Sequence, residues 1–183
     1  MTDEAFVCRT PLANRMTTRY DTSNADLERA AAALRAGRLR QYFEHIEAII
    51  AGIPYHPLPR KSATNGGDSK QAALSEGFYH TAFHLINECE RLDARAEVAT
   101  HHGRIDEVIR TRNRVYIFEL KKDASAQAAV RQMKETKTFK PYLEEDQYGR
   151  KPVTLVGASF KRFRSDGEID WAFEELNHSD LDL

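Results

Sequence analysis

The stretch GRIDEVIRTRNRVYIFELKK, residues 103–122, limits the choice of folds more than any other part of the chain. It contains two segments rich in β-branched and aromatic residues on either side of a short turn, which predicts two antiparallel strands. Side chains alternate between the two faces of a strand, so Glu119 and Lys121 point to the same side of the predicted sheet. If the two strands pair about the turn, Asp106 lies near Glu119 on the neighbouring strand.

Two carboxylates and one ammonium group would then meet among apolar neighbours. Burying such charges is unfavourable unless they contact a cation or one another. A small cluster of oxygen ligands suits Mg²⁺, with Mn²⁺ as a substitute, because Mg²⁺ binds through one or two carboxylates, waters and a substrate phosphate. Asp106, Glu119 and Lys121 therefore predict metal-assisted phosphodiester hydrolysis, with Lys121 orienting the attacking water. A buried salt bridge between Glu119 and Lys121, without catalysis, is the alternative that the spacing leaves open.

The remaining elements are predicted from apolar periodicity and from the residues that start and stop helices. The largely apolar run PVTLVGASF is typical of a strand buried on both faces. We predict helices at about 25–36, 38–51, 75–92 and 125–138, the last of them capped by Ser125. Strands are predicted at about 94–100, 105–110, 114–121, 152–160 and 169–173. After an N-terminal helical hairpin, this order of helix, three strands, helix and strand predicts an α/β domain.

Charge is distributed unevenly along the chain, although the formal net charge is only −1. Residues 103–164 hold fifteen Lys or Arg against eight Asp or Glu, whereas the last nineteen residues hold none against seven. Such a basic segment favours local binding of a polyanion such as nucleic acid. A solvated surface with ordinary charge scatter is the alternative interpretation.

Neither a membrane span nor a secretory leader is predicted. No apolar run approaches the roughly 20 residues that a spanning helix needs, and the N-terminus MTDEAFVCRT has no apolar core behind a basic start. Cys8 and Cys89 lie far apart and show no metal-ligand spacing, which is typical of unpaired thiols in a reducing compartment. We therefore expect a cytoplasmic protein.

Several segments between Glu76 and about Trp171 together resemble the nuclease domain of the PD-(D/E)XK superfamily, in particular the group found C-terminal to an AAA-ATPase-like domain. These segments are SEGFYHTAFHLI, GRIDEVI, VYIFELKK, AVRQMK and PVTLVGASF. The resemblance implies an αβββαβ restriction-endonuclease-like core, in which helices flank a mixed central sheet. We accordingly expect an N-terminal arm and helical hairpin at 1–55, a flexible loop at 56–74 and the nuclease-like domain at 75–183.

The same resemblance implies roles for individual residues. The implied catalytic set is Glu76, Asp106, Glu119, Lys121 and Gln132. Asp106, Glu119 and Glu76 would bind the metal together with the backbone carbonyl of Leu120, Lys121 would assist the water, and Gln132 would border the site. The residues expected to contact substrate are His80, Arg104, Arg110, Arg112 and Lys122.

Other candidate residues have two interpretations each. His80 and His84 stand at i, i+4 on one predicted helix, a spacing that can chelate zinc, or they line the nuclease cleft. Arg110 and Arg112 alternate along the hairpin and either contact phosphates or protect an exposed strand edge with charge. Trp171 and Phe173 are more typical of core residues than of residues that stack on bases.

The sequence therefore predicts an Mg²⁺-dependent nuclease that acts on nucleic acid, with DNA preferred as the substrate and no membrane partner. A catalytically silent module with the nuclease fold, which binds nucleic acid or protein, is the alternative. A homodimer and an ATPase-like partner in trans stay open. No phosphate loop of the GxxxxGK[ST] kind exists in the sequence, so nucleotide hydrolysis is not expected.

Overall fold

The computed structural model describes residues 24–53, 76–144, 151–160 and 169–176 of the 183 residues. The predicted arm at 1–23 and the predicted loop at 56–74 lie outside these described residues. The helices are α1 (Asn24–Arg35), α2 (Leu39–Ala51), α3 (Glu76–Cys89), α4 (Ala126–Thr136) and α5 (Lys140–Glu144). The strands are β1 (Asp93–Thr100), β2 (Gly103–Arg110), β3 (Val115–Lys122), β4 (Val153–Phe160) and β5 (Ile169–Leu176). In the described part of the chain, no helix combines the length and apolarity needed to cross a membrane.

The five strands form one mixed sheet in the order β1-β2-β3-β4-β5. Neighbouring strands are antiparallel except β3 and β4, which are parallel and are joined through α4 on one face of the sheet. The predicted helix–three strands–helix–strand core with a mixed sheet is therefore confirmed, and the predicted N-terminal helices are present.

The β2–β3 hairpin forms as its alternating pattern predicts. Its register pairs Arg110 with Val115 and Glu107 with Phe118. The turn between them is closed by Thr111, whose hydroxyl donates to the carbonyl of Arg114 at 3.0 Å and accepts from the backbone N–H of Arg114 at 3.1 Å. The carbonyl of Arg114 also accepts a hydrogen bond from the backbone N–H of Thr111 at 2.9 Å, so the hydroxyl reinforces that contact and gives the N–H of Arg114 an acceptor.

Two apolar cores cover the two faces of the sheet. On one face α1, α2 and α3 pack through an aromatic cluster in which the ring of Phe83 lies 5.1 Å from Phe118 and 6.2 Å from Tyr42. On the other face α4 and α5 cover Ile117 and its neighbours with Met133 and other apolar side chains. The N-terminal hairpin thus shares a core with the sheet, while the proposed boundary between residues 55 and 75 stays a prediction.

Strand β4 is buried along its whole length, as its apolar sequence predicts. A Cβ atom added at Gly157 would lie 2.1 Å from the carbonyl oxygen of Ala126, so the absence of a side chain lets α4 approach the sheet closely. The N-terminus of α4 is fixed there by Ser125, whose side chain accepts a hydrogen bond from Ala128 N, as predicted for its cap. Asp170 of β5 also accepts a hydrogen bond from Ala126 N at 3.2 Å.

Some boundaries differ from the sequence-based expectations. Helix α3 ends at Cys89 instead of near 92, because Arg91 adopts a left-handed conformation with φ of 51° before β1 begins. Helix α4 ends at Thr136 because Lys137 is also left-handed, with φ of 57°. The short helix α5 was not predicted, and β5 continues to Leu176.

Candidate active site

The centre of the site lies where strands β2 and β3 stop pairing with each other. The backbone pairing of these strands ends at Glu107 and Phe118, so Asp106 lies opposite Glu119 one position further on. Instead of a backbone pair, Asp106 Oδ2 accepts a hydrogen bond from the backbone N–H of Leu120 at 2.8 Å. This bond fixes the carboxylate of Asp106 beside the part of β3 that contains Glu119 and Lys121.

Glu119 is the most connected charged residue of the site. Its Oε1 atom accepts a hydrogen bond from Lys121 Nζ at 2.6 Å and another from Gln132 Nε2 at 2.9 Å. Lys121 reaches it because residues two apart on β3 share a face, and Gln132 reaches it from α4, which packs on that face. The structure therefore brings together three residues that the sequence assigned to the catalytic set.

Burial raises the pKa of Glu119 above its ordinary value of 4.5. The hydrogen bond from Lys121 opposes this effect, whereas the negative charge of Asp106 adds to it. The side chain of Glu119 is only 8% exposed, so its negative charge is stabilised mainly by neighbouring donors rather than by water. A carboxylate in this setting gains from any further cation that reaches it.

The donor set fits a divalent cation. Lys121 and Gln132 both use Oε1 of Glu119, and among the described residues no hydrogen-bond donor contacts Oε2. Asp106 likewise uses Oδ2 for Leu120 N, and within the same residues its Oδ1 accepts no hydrogen bond. Each carboxylate thus keeps one oxygen available, and hard oxygen ligands of this kind suit Mg²⁺ or Mn²⁺.

Helix α3 closes the other side of the site with His80. The imidazole Nε2 of His80 lies 3.3 Å from the carbonyl oxygen of Leu120, 3.9 Å from Asp106 Oδ2 and 4.0 Å from Glu76 Oε1. Glu76 itself is half exposed at the start of the helix. Three predicted groups, the Leu120 carbonyl, Asp106 and Glu76, therefore surround the Nε2 atom of His80.

Glu97 of β1 also reaches this cluster, and the sequence analysis missed it. Ligand atoms of Glu97, His80 and Asp106 all lie within 4.8 Å of one another. The β1–β2 register pairs Ala96 with Glu107 and Val98 with Ile105, so Glu97 stands opposite Asp106. Counting the strand register back through the His101-His102 turn would have identified it, whereas its left-handed backbone, with φ of 55°, has no sequence signal.

A contact between an imidazole and a buried carboxylate lies next to the site. His84 Nδ1 contacts both carboxylate oxygens of Glu107 at 2.9 Å and 3.1 Å, and the Glu107 side chain is only 1% exposed. Burial raises the pKa of Glu107 to about 7, although the hydrogen bond and charge of His84 oppose the increase. His84 therefore binds Glu107 rather than joining His80 in the zinc pair that the i, i+4 spacing had left open.

The residues predicted to contact substrate divide into two groups. Arg104 and Lys122 lie near the site, where Arg104 Nη1 contacts Glu97 at 2.5 Å and Lys122 Nζ lies 3.7 Å from Asp123. Arg110 and Arg112 lie at the opposite end of the β2–β3 hairpin, four and six residues beyond Asp106 and thus roughly 13 Å or more away along the strand.

The guanidinium of Arg110 lies over the ring of Tyr142, 5.1 Å from its centroid. Alternation along β2 predicts the face that Arg110 occupies but not its distance from the carboxylates. The structure therefore does not bring Arg110 or Arg112 to the site.

Trp171 and Phe173 are also settled by their contacts. Trp171 stacks on Phe43 of α2 with ring centroids 5.3 Å apart, so it belongs to the core as predicted. The predicted core placement of Phe173 is wrong: it stacks on Trp171 with ring centroids 6.2 Å apart but is 49% exposed, because it lies on the outer strand β5. Neither ring lies among the charged residues of the site.

The fold and this arrangement of charged residues define a nuclease-like domain, and comparison with known families agrees. A sequence model described as the PD-(D/E)XK nuclease superfamily matches residues 74–165, about half of the chain, and the chain belongs to that superfamily. The matched residues include α3, the first four strands and α4, and therefore every residue of the site described above.

One curated relative from Azotobacter chroococcum mcd 1 is similar to part of the chain. It bears the description "Uncharacterized protein in vnfD 5′ region" and is 35% identical over 92 residues. The alignment covers 49% of this chain but only 17% of the relative, so the matching segment is a small part of that protein. No solved structure matches the chain.

Proposed function

We propose that this chain is a metal-dependent nuclease domain that hydrolyses phosphodiester bonds of DNA. The observation that supports it most is the meeting of Asp106 with the Glu119, Lys121 and Gln132 network at one end of β2 and β3. An ordinary hairpin stabilised by a salt bridge would not require Gln132 from another element or a carboxylate held on the backbone of Leu120.

In this proposal Asp106, Glu119 and Glu76 hold Mg²⁺ or Mn²⁺ together with the carbonyl of Leu120. When bound, the ion supplies charge neutralisation for the scissile phosphate and makes a water molecule more acidic. Lys121 orients that water, because an ammonium group has three donors and only one of them is used by Glu119. Gln132 keeps Glu119 in its rotamer by donating to the same oxygen as Lys121.

The charge distribution supports a polyanionic substrate. Residues 103–164 have an excess of basic residues, Arg104 contacts Glu97, and Lys122 directly follows Lys121 on β3. Contacts from such side chains to backbone phosphates would hold a nucleic acid without reading its sequence. A second copy of the chain and an ATPase-like protein are further partners that we propose.

The test is cleavage of plasmid and linear DNA in MgCl₂ or MnCl₂ by the wild type and by Asp106→Ala and Lys121→Ala. Loss of a group that acts in the transition state typically lowers the rate by about a hundredfold or more, and we expect that for both variants. Lys134→Ala is the matched control, since Lys134 pairs with Glu174 on the outer side of α4 and should leave cleavage unchanged.

Equal cleavage by the wild type and both site variants would contradict the proposal and would point to a contaminating nuclease. A wild type that binds Mn²⁺ and DNA but cleaves neither DNA form nor RNA would favour the alternative, a silent module with the nuclease fold. Cleavage of RNA alone would retain the site and correct the substrate.

A further inference from the structure

We propose that His80 and Glu97 join Asp106 in a binding position for a transition-metal ion, one that prefers Mn²⁺ to Mg²⁺. The three residues come from α3, β1 and β2, and their ligand atoms lie within 4.8 Å of one another. The inference rests on the proposed function because Asp106 is shared, but the set of ligands and the preferred ion are new.

The spacing of these atoms suits a bound ion. Ligand atoms about 2.1 Å from an octahedral ion lie about 3.0 Å apart when adjacent and about 4.2 Å apart when opposite. His80 Nε2 lies 3.9 Å from Asp106 Oδ2 and 3.3 Å from the carbonyl oxygen of Leu120, within that range. Glu76 Oε1, 4.0 Å from the same nitrogen, lies beside the group as a further carboxylate.

His80 is placed for this role by its surroundings. Its side chain is 19% exposed, and its Nε2 atom lies within 4.0 Å of oxygen atoms of Leu120, Asp106 and Glu76. A neutral imidazole nitrogen is a good ligand for Mn²⁺ and the later transition ions and a poor one for Mg²⁺, which prefers oxygen. The presence of this nitrogen therefore sets the preference for the ion.

Glu97 is paired with Arg104, which competes with an ion for its carboxylate. The guanidinium of Arg104 contacts Glu97 Oε2 at 2.5 Å, and the side chain of Arg104 is 63% exposed and that of Glu97 49%. The exposed pair is weak because water screens it, so a divalent ion can compete for the carboxylate. Removing Arg104 would leave Glu97 available and should increase the affinity for the ion.

The probe is Mn²⁺ added to the full chain and followed by calorimetry and by pulsed electron paramagnetic resonance. We expect ¹⁴N coupling to the bound Mn²⁺ in the wild type, and loss of that coupling in His80→Asn with an affinity at least about tenfold lower. Glu97→Gln should lower the affinity by a similar factor but retain the ¹⁴N coupling. Arg104→Gln should raise the affinity, and MgCl₂ should displace Mn²⁺ only at concentrations at least about tenfold higher than Mn²⁺ itself.

Two control variants match these changes outside the cluster. His101→Asn removes an exposed histidine of the β1–β2 turn, and Glu135→Gln removes a carboxylate that is 71% exposed on α4. Both should bind Mn²⁺ as the wild type does. Circular dichroism checks that each variant is folded. If His80→Asn does not fold, the ¹⁴N coupling of the wild type and the Mn²⁺ affinity of Arg104→Gln test the inference instead.

Absence of ¹⁴N coupling in the wild type, or an affinity unchanged in both His80→Asn and Glu97→Gln, would overturn the inference. Glu119→Gln separates this result from the fate of the nuclease proposal. We expect this variant to lose cleavage and to keep the ¹⁴N coupling. A wild type that shows the coupling but never cleaves DNA would refute the nuclease proposal alone, and cleavage without the coupling would refute the Mn²⁺ position alone.

Discussion

Replacing Gly157 with alanine would force a methyl group into the contact between β4 and α4. The added Cβ would lie 2.1 Å from the carbonyl oxygen of Ala126 and 3.0 Å from the Cβ of Ala129. Real Cβ contacts essentially never fall below 3.0 Å, so helix and strand would have to separate by about 1 Å. The obstacle is helix backbone, which cannot rotate aside as a flexible side chain would.

We expect the unfolding free energy of Gly157→Ala to fall by about 2–3 kcal/mol, the upper part of the range for an overfilled core. For a chain of this length, such a loss lowers the thermal midpoint by roughly 5–10 °C. Cleavage should fall as well, because α4 supplies Gln132, whose amide donates to Glu119 at 2.9 Å. Urea unfolding, thermal unfolding and the DNA assay measure the three effects.

Gly52→Ala is the control for the same chemical change. Gly52 follows α2 with φ of −76° and ψ of −10°, a conformation that any residue adopts, and it is exposed. Alanine there should stabilise the fold by about 0.4–1 kcal/mol through the unfolded state. A Gly157→Ala protein as stable as the wild type would refute the packing argument, and so would an equal loss of stability in both variants.

Three further predictions concern the described residues away from the metal cluster. Asn87→Ala removes the acceptor of the buried Tyr42 hydroxyl, 2.9 Å away, and should lower the unfolding free energy measured in urea by about 2 kcal/mol. Tyr42→Phe should lower it by less, because Asn87 still donates to the carbonyl of Phe83. Burial raises the pKa of the Cys89 thiol from 9.0 to about 11. In a Cys8→Ser variant, Cys89 should therefore react with a disulfide reagent at pH 8 about a hundredfold more slowly than an ordinary thiol. Its reaction rate should rise about tenfold per pH unit until the pH reaches that pKa. Ser125→Ala should cost about 1 kcal/mol of unfolding free energy by removing the cap of α4, and no loss would contradict the capping role.

Much of the fold follows from local patterns because the decisive interactions are local. The β2–β3 hairpin follows from alternation and a short turn, and Ser125 was identified as a cap by its residue type and position. The burial of β4 follows from its apolar composition. In each case, neighbours in sequence supply both the signal and the contact.

The site required more than local patterns. The alternation of Glu119 and Lys121 on β3 predicted their shared face, but the hydrogen bond from Leu120 N to Asp106 depends on where β2 and β3 separate. Nothing in the sequence near Glu97 indicates its left-handed backbone, with φ of 55°. Strand periodicity gives the direction of the Arg110 side chain but not its distance from the carboxylates, so its contact with substrate stays a prediction.

The contacts of Glu119 have a consequence for how the protein would behave when ions are scarce. Its charge is already balanced by Lys121 and hydrogen-bonded by Gln132, so removal of a metal leaves no isolated buried anion. If the domain is the proposed nuclease, chelators should therefore abolish cleavage without unfolding the protein, whereas small zinc-binding domains unfold when their zinc is removed. The metal-free protein would then stay folded and would recover the proposed activity when the ion is added again.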